Sequence, residues 1–84
     1  MQTKDAWGLL NSGRVRVETS EKLGTFDVST ASDASLGMTP AQRGWADCFS
    51  NRFDGRRFHT HPEMQAAMQE AVEYCVRKHN TGGN

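Results

Sequence analysis

Two amphipathic helical patterns, joined by one basic segment, constrain this 84-residue chain more than any other feature. The first pattern starts at Thr39, which can cap a helix whose first residue is Pro40 and whose Gln42 can bond back to the cap. It ends before Gly55. Its apolar residues recur at helical spacing: Ala41, Trp45, Cys48, Phe49 and Phe53. The sequence therefore predicts a helix that supplies the aromatic part of the core.

The second pattern opens with two alternative helix starts. Either Thr60 is the cap with Glu63 three residues later, which we favour, or His61 is the cap with Pro62 in the first helical position. The apolar stripe that follows comprises Met64, Ala67, Met68, Ala71, Val72, Cys75 and Val76. Methionine and alanine make this face adaptable, and we assign it to core packing rather than to a binding groove. The helix is expected to fade near Asn80, leaving residues 80–84 as a flexible tail.

The first half of the chain predicts a short helix and a β-hairpin. Thr3 or Asp5 can cap a helix of about two turns that docks through Trp7 and Leu10. Apolar and polar residues then alternate over 14–19 and again over 25–29, which is typical of strands with one buried face. That face comprises Val15, Val17, Phe26 and Val28. Residues 20–24 form the hairpin connection, and residues 30–37 are predicted to be a surface loop that links the hairpin to the next helix.

Together these elements predict one α+β domain over residues 1–84: a short N-terminal helix, a β-hairpin, and two longer C-terminal helices packed on one face of the hairpin. A two-stranded hairpin needs this cover, since it is not stable by itself. The core is thin, because leucine, valine and phenylalanine together number only thirteen and isoleucine is absent. A homodimer or a larger partner would supply additional burial.

Charge and hydropathy narrow the classes of partner. The formal net charge is zero, which argues against a surface devoted entirely to nucleic acid or to an anionic membrane. The N-terminus lacks the pattern of a secretion signal, and no window is apolar over the length that spans a bilayer. We therefore expect a cytoplasmic protein without membrane contact. Cys48 and Cys75 are expected to be reduced, buried residues, with one bridge between the two helices as the alternative in an oxidising environment.

No residue pattern predicts a cofactor, a metal site or catalysis. The metal-binding residue types are Cys48, His59, His61, Cys75 and His79, but none has the spacing of a common zinc module. Both cysteines fall on helix faces that the core requires, which also argues against a reactive thiolate. A domain this small has little room for a deep substrate pocket. We expect a protein that is not an enzyme.

The segment between the helices, residues 51–63, is the best candidate for a binding surface, and we call it the elbow. Five of its residues have no structural role in the predicted fold: Arg52, Arg56, Arg57, Phe58 and His59. Arginines can donate two parallel hydrogen bonds to a phosphate, and aromatic rings can stack on bases. Arginine beside an aromatic residue is also enriched in the energetic centres of protein interfaces. The simpler interpretation is a solvated loop whose arginines pair with Glu70, Glu73 or Asp54.

The function that these observations favour is a small binding protein, such as an inhibitor, adaptor or accessory subunit, that acts through a protein–protein surface. The alternative is a nucleic-acid or polyanion-binding module that uses the basic part of the elbow, from Arg52 to His61. In size and in its lack of motifs the chain resembles the small host-directed proteins of bacteriophages, anti-CRISPR inhibitors among them. No residue role follows from that resemblance.

Overall fold

The computed structural model describes residues 1–33 and 36–83, with side chains as far as His79. Its elements, in chain order, are α1 (Thr3–Asn11), β1 (Val15–Lys22), β2 (Thr25–Ser32), α2 (Pro40–Phe53), β3 (Arg57–Phe58) and α3 (His61–Gly83). The strands form one antiparallel sheet in the order β1-β2-β3. The predicted α+β arrangement of a short helix, a hairpin and two longer helices is confirmed. None of the described helices is both long and apolar enough to cross a membrane.

The two long helices start where the sequence predicts. Thr39 Oγ1 accepts the backbone N–H of Gln42 at 3.1 Å, and Gln42 Oε1 accepts that of Thr39 at 2.9 Å. At α3 the favoured frame is confirmed, since Thr60 Oγ1 accepts from Glu63 N at 3.3 Å. The cap of α1 is Gln2 rather than Thr3 or Asp5, although the Asp5 carboxylate does accept the Gln2 N–H at 3.0 Å. Each cap satisfies backbone donors that a helix start would otherwise leave unpaired.

The sheet is larger than predicted. β1 continues to Lys22 and β2 to Ser32, so part of the segment predicted to be a loop is strand, while residues 34 and 35 of that segment lie outside the described residues. Each extra residue pairs with a residue of the opposite predicted strand, as in Lys22↔Thr25 and Val15↔Ser32. Apart from Ala31 the extra residues are polar, so an alternation of apolar residues does not reveal them.

The core lies between the inner face of the sheet and the helices. Val15 and Val28 come from the sheet, and Ala6 and Leu9 from α1. From α2 come Trp45, Ala46, Phe49 and Phe53, and from α3 come Ala71, Val72, Cys75 and Val76. Trp45, Phe49 and Phe53 form a row with successive ring centroids 5.0 and 5.4 Å apart. The indole N–H of Trp45 donates to the Val72 carbonyl at 3.3 Å, so the buried polar atom of this side chain is satisfied.

The expectation of two reduced cysteines is wrong. Cys48 of α2 and Cys75 of α3 form a disulfide, with their Cα atoms 5.8 Å apart. Both residues face the neighbouring helix on their apolar stripes, and that shared orientation brings the sulfurs together. Cys75 is fully buried and Cys48 partly exposed.

The predicted end of α3 at Asn80 is also wrong, because the helix continues to Gly83. Glycine lowers helix propensity by about 1 kcal/mol but does not block a helix as proline does, so the glycines do not force a stop. Asn84, the last residue of the predicted tail, lies outside the described residues.

Candidate binding surface

The ends of the elbow belong to α2 and α3, and its middle is part of the sheet rather than a free loop. β3 pairs with β2 through Phe58↔Phe26 and Arg57↔Asp27. The backbone continues this ladder, since Val28 N donates to the Arg56 carbonyl at 2.9 Å and Gly55 N donates to the Val28 carbonyl at 2.8 Å. The elbow therefore covers one edge of β2, and its side chains alternate between the two faces of the sheet.

Arg52 is held against α3. Its guanidinium forms a bidentate ion pair with Glu70, at 2.9 Å from Nε and 2.7 Å from Nη2, and lies 3.8 Å from the ring centroid of Tyr74. The hydrogen bonds from Arg52 lower the pKa of Glu70, and weaker attraction from Arg56 and Arg77 acts in the same direction. Arg52 is thus neutralised by a carboxylate, as the simpler interpretation of the elbow expects.

Arg57 is paired across the sheet. Its Nε donates to Asp27 Oδ1 at 2.7 Å, and this hydrogen bond lowers the pKa of the Asp27 carboxyl. The two side chains remain 65% and 41% exposed. The pair lies on the outer face of the sheet, so it is accessible to a partner even though its charges already compensate each other.

Phe58 is in the core, only 3% exposed, with its ring centroid 5.8 Å from that of Phe53. It cannot stack on a base as the sequence interpretation proposed. Arg57 and Phe58 are consecutive residues of one strand, so their side chains point to opposite faces of the sheet. The Arg56 guanidinium carbon lies 5.0 Å from the Phe58 ring centroid. The five predicted contact residues therefore do not form one surface.

The start of α3 is not arranged for an anion. Glu63 places its carboxylate at the first turn, where Oε1 accepts the backbone N–H of His59 at 3.3 Å. The side chain of Thr60 accepts the N–H of Glu63. The N–H groups of His59, Glu63 and Met64 are thus occupied, and the Glu63 carboxylate places a negative charge where a phosphate would bind. His59 and Arg56 are the exposed elbow residues of the predicted set that have no described ion pair with a carboxylate, and the Arg56 guanidinium lies over the ring of Phe58.

Histidines and cysteines do not gather into a metal site. The His61 ring packs on Phe26 with 4.4 Å between centroids, and the His79 ring lies against Gly44, whose absent Cβ would be 2.8 Å from Cε1 of that ring. Across the described residues, no group of three or more histidine, cysteine, aspartate or glutamate side chains could hold a metal ion.

The sequence predicts a hairpin connection at residues 20–24 but assigns it no binding role, and in the structure the tip of this hairpin is strongly exposed. Residues 18–24 are all exposed, and Leu23 at the tip is 96% exposed. Leu23 and Gly24 both have positive φ angles, +53° and +81°, as a two-residue type I′ turn requires. A left-handed leucine costs about 1 kcal/mol, because its Cβ approaches the following carbonyl oxygen. The sequence predicts this connection from Gly24 and from the polar residues that precede Leu23.

An open concavity of about 360 Å³ joins the hairpin tip to the elbow. It is lined by Lys22, Leu23, Thr25, Asp27 and Arg57, and we call these five residues the tip surface. One apolar side chain is thus surrounded by a lysine, a hydroxyl group and a compensated ion pair. The tip surface includes one of the five predicted contact residues, Arg57.

A second, smaller concavity of about 210 Å³ lies next to the disulfide. Its lining includes Cys48, Asn51, Arg52, Tyr74 and Lys78. It is polar, and its arginine is already bound to Glu70. It offers no apolar anchor comparable with Leu23.

Comparison with known proteins gives no match: no protein-family model, no curated protein and no solved structure is similar to this chain.

Proposed function

We propose that this chain is a small, non-enzymatic binding protein that acts on a protein partner through the tip surface. The observation that carries the proposal is Leu23, an apolar side chain 96% exposed and held in a left-handed turn. Strain in a turn residue that contributes no packing is better explained by a contact outside the chain than by stability. A partner that covers Leu23 removes this apolar side chain from water, which stabilises the complex. The surrounding charges then fix the orientation of the partner.

The surroundings of Leu23 favour a protein over a polyanion. The tip surface holds Lys22 and Arg57 against Asp27, and the arginine and aspartate are bound to each other at 2.7 Å. A phosphate that binds Arg57 would lie beside the Asp27 carboxylate, which repels it. A protein surface with one apolar pocket and a mixed polar rim fits this arrangement better.

The nucleic-acid alternative has less support. Arg52 and Arg57 already have carboxylate partners, Phe58 is buried, and Glu63 stands at the start of α3. Retention on heparin together with a steep loss of affinity with salt, both abolished by Arg56→Glu with Arg57→Glu, would favour this alternative over the proposal. We expect weak retention and a flat salt dependence.

The test of the proposal compares Leu23→Asn with Leu36→Asn. Asparagine tolerates the left-handed conformation, so Leu23→Asn removes the apolar contact without harming the turn. Leu36 is 47% exposed and does not line the tip surface, which makes its variant the matched control. We expect a stoichiometric partner to be captured at physiological salt by the wild type and by Leu36→Asn, and to be lost with Leu23→Asn. Equal capture by all three, or none by any, contradicts the proposal.

The disulfide is informative about the cellular compartment in which the protein acts. The sequence predicts a cytoplasmic protein, whereas a bond between Cys48 and Cys75 is typical of oxidising environments. We therefore propose that the protein acts where this bond persists. Because Cys75 is buried, cells are quenched with acid and the protein is alkylated with a maleimide under denaturing conditions before gel analysis. Two labelled thiols per chain then indicate the reducing cytoplasm, and none indicates an oxidising compartment.

A further inference from the structure

The outer edge of β1 is open along eight residues. β1 pairs with β2 on one side, and within the described part of the chain no strand pairs with its other side. The opposite edge of the sheet differs, because the elbow covers β2 there. Neither proline nor glycine interrupts residues 15–22. An unbroken edge of this length is a template for pairing with another strand.

The backbone groups that face this open edge follow from the register. Val28 N and Thr30 N bond to the elbow side, to Arg56 O and Asp54 Oδ1, so they point away from β1. Their register partners on β1, Thr19 and Val17, must likewise point away from β2, because opposite residues of an antiparallel pair alternate together. The same alternation directs the N–H and C=O of Val15 outward.

The side chains along the edge suit a second copy of this strand. With the two-fold axis at Val17, Arg16 of each copy lies opposite Glu18 of the other, so two pairs of opposite charge form across the interface. Within the chain, the cross-strand partners of Arg16 and Glu18 are Ala31 and Ser29, which leave both charges uncompensated across the hairpin.

Apolar residues on the inner face point to the same axis. Val17 is half-buried, and so are Trp7 and Leu10 of α1, which contacts both β1 and α3. An axis at Val17 places this side chain next to its copy, with α1 packed alongside β1. An axis at Glu18 would oppose the two Glu18 carboxylates. An axis at Ser20 would pair Glu18 with Lys22 but would leave Arg16 unpaired and the apolar residues at the margin.

We infer that the protein forms a homodimer in which the β1 strands of two copies pair antiparallel about Val17, extending the two sheets into one of six strands. The carbonyl and N–H of Val17 bond to those of its copy, and Val15 bonds to Thr19 of the second copy on either side of the axis. Strand addition of this kind uses backbone hydrogen bonds for affinity and side chains for register.

Sedimentation velocity from low micromolar to near-millimolar concentration tests the inference with charge reversals. The wild type should pass from monomer to dimer. Arg16→Glu or Glu18→Arg alone turns both attractive pairs into repulsive ones and should raise the dimer dissociation constant by about tenfold or more. The double reversal, Arg16→Glu with Glu18→Arg, restores opposite charges and should restore the dimer. A wild type that stays monomeric throughout, or a double variant no better than the single ones, overturns the inference.

A backbone test uses two prolines on the same edge. Thr19 and Glu21 both direct their N–H groups outward, where proline is tolerated in a monomer. Only Thr19 lies within the paired segment, residues 15–19. Thr19→Pro should therefore abolish the dimer while Glu21→Pro retains it, with unchanged circular dichroism in both. A dimer that survives Thr19→Pro, or that is lost equally in both variants, shows that another surface is used and overturns the inference. A failure of this dimer leaves the Leu23 result unaffected, because that experiment measures capture of a different partner.

Discussion

The helical side of the domain is tightly packed, whereas the far end of its hairpin is exposed to solvent. Where α2 meets α3, three aromatic rings are fully buried, an indole N–H is bonded to a carbonyl, and a disulfide joins the helices. At the far end of the hairpin, residues 18–24 are all exposed and the turn contains a strained leucine, Leu23. The contrast teaches that stability is concentrated in the helical side, so the hairpin tip is free to be shaped by binding.

The largest difference should appear when one side chain is truncated on each side. Phe49→Ala removes a fully buried ring from the aromatic row and is expected to lower the free energy of unfolding by about 3–5 kcal/mol. Ser20→Ala in the exposed hairpin should change it by less than about 0.5 kcal/mol. Urea denaturation followed by circular dichroism measures both. Similar losses for the two variants would show that the domain is not divided in this way.

The disulfide should contribute the next largest effect. Cys48 and Cys75 are 27 residues apart, and closing a loop of that length stabilises the folded state by about 3.5 kcal/mol through the entropy of the unfolded chain. Cys48→Ala with Cys75→Ala should lose that amount in urea denaturation. The wild type treated with a reducing agent should lose a similar amount, while the double variant should not respond to the agent. An unresponsive wild type would mean that the bond is not formed.

These two sides also differ in how far the sequence could predict them. The capping residues Thr39, Gln42, Thr60 and Glu63 act over three residues, so both long helix starts followed from local chemistry. The buried faces followed from periodicity. The disulfide did not, because a pair of cysteines on two facing helices has the same pattern as two buried apolar residues until the rotation of each helix is known.

The binding surface was harder to predict for a related reason. Adjacency in the chain predicts that Arg57 and Phe58 share one contact surface, but strand β3 directs their side chains to opposite faces of the sheet. Arg52 and Glu70 are eighteen residues apart and meet only through helix packing. β3 has only two residues, so its sequence shows no alternation of apolar and polar side chains. It can be recognised only from the tertiary structure.

At the hairpin tip a substitution should raise stability rather than lower it. Leu23→Asn relieves a left-handed leucine and gives the Asn-Gly sequence favoured in type I′ turns, and almost no burial is lost because the leucine is exposed. We expect the free energy of unfolding to rise by about 1 kcal/mol. Leu23→Ala is the control, since it removes the apolar side chain but keeps the strain. Equal stability of the two variants would show that the turn carries no strain.

The contact between Gly44 and His79 should give a smaller effect, and one that depends on its partner. Replacing a mid-helix glycine by alanine favours α2 by about 1 kcal/mol, but the new Cβ would lie 2.8 Å from the His79 ring, which must then move. Gly44→Ala should therefore raise the free energy of unfolding only slightly in the wild type. In a His79→Ala background it should raise it by the full amount, about 1 kcal/mol. A double-mutant cycle in urea measures the difference. The same gain in both backgrounds would exclude close packing of the ring.

The exposed ion pairs Arg57–Asp27 and Arg52–Glu70 should have the smallest effect, visible as a dependence of stability on pH. Hydrogen bonds from Arg57 and Arg52 hold the pKa values of Asp27 and Glu70 below their ordinary range in the folded protein. Their stabilisation is therefore fully present above the ordinary carboxyl pKa, about 4, and is lost as the pH falls through the lowered values.

Urea midpoints are compared at neutral and acidic pH. The double variant Asp27→Asn with Glu70→Gln should be less stable than the wild type at neutral pH, and its stability should fall less as the pH is lowered. Asp47→Asn, which removes an exposed carboxylate that lacks an arginine partner among the described contacts, is the matched control and should keep the wild-type slope. Added salt should shrink the difference, because both pairs are exposed. If the double variant and the control have the same slope, the pairs seen on the elbow do not persist in solution, and Arg52 and Arg57 would again be available to an anionic partner.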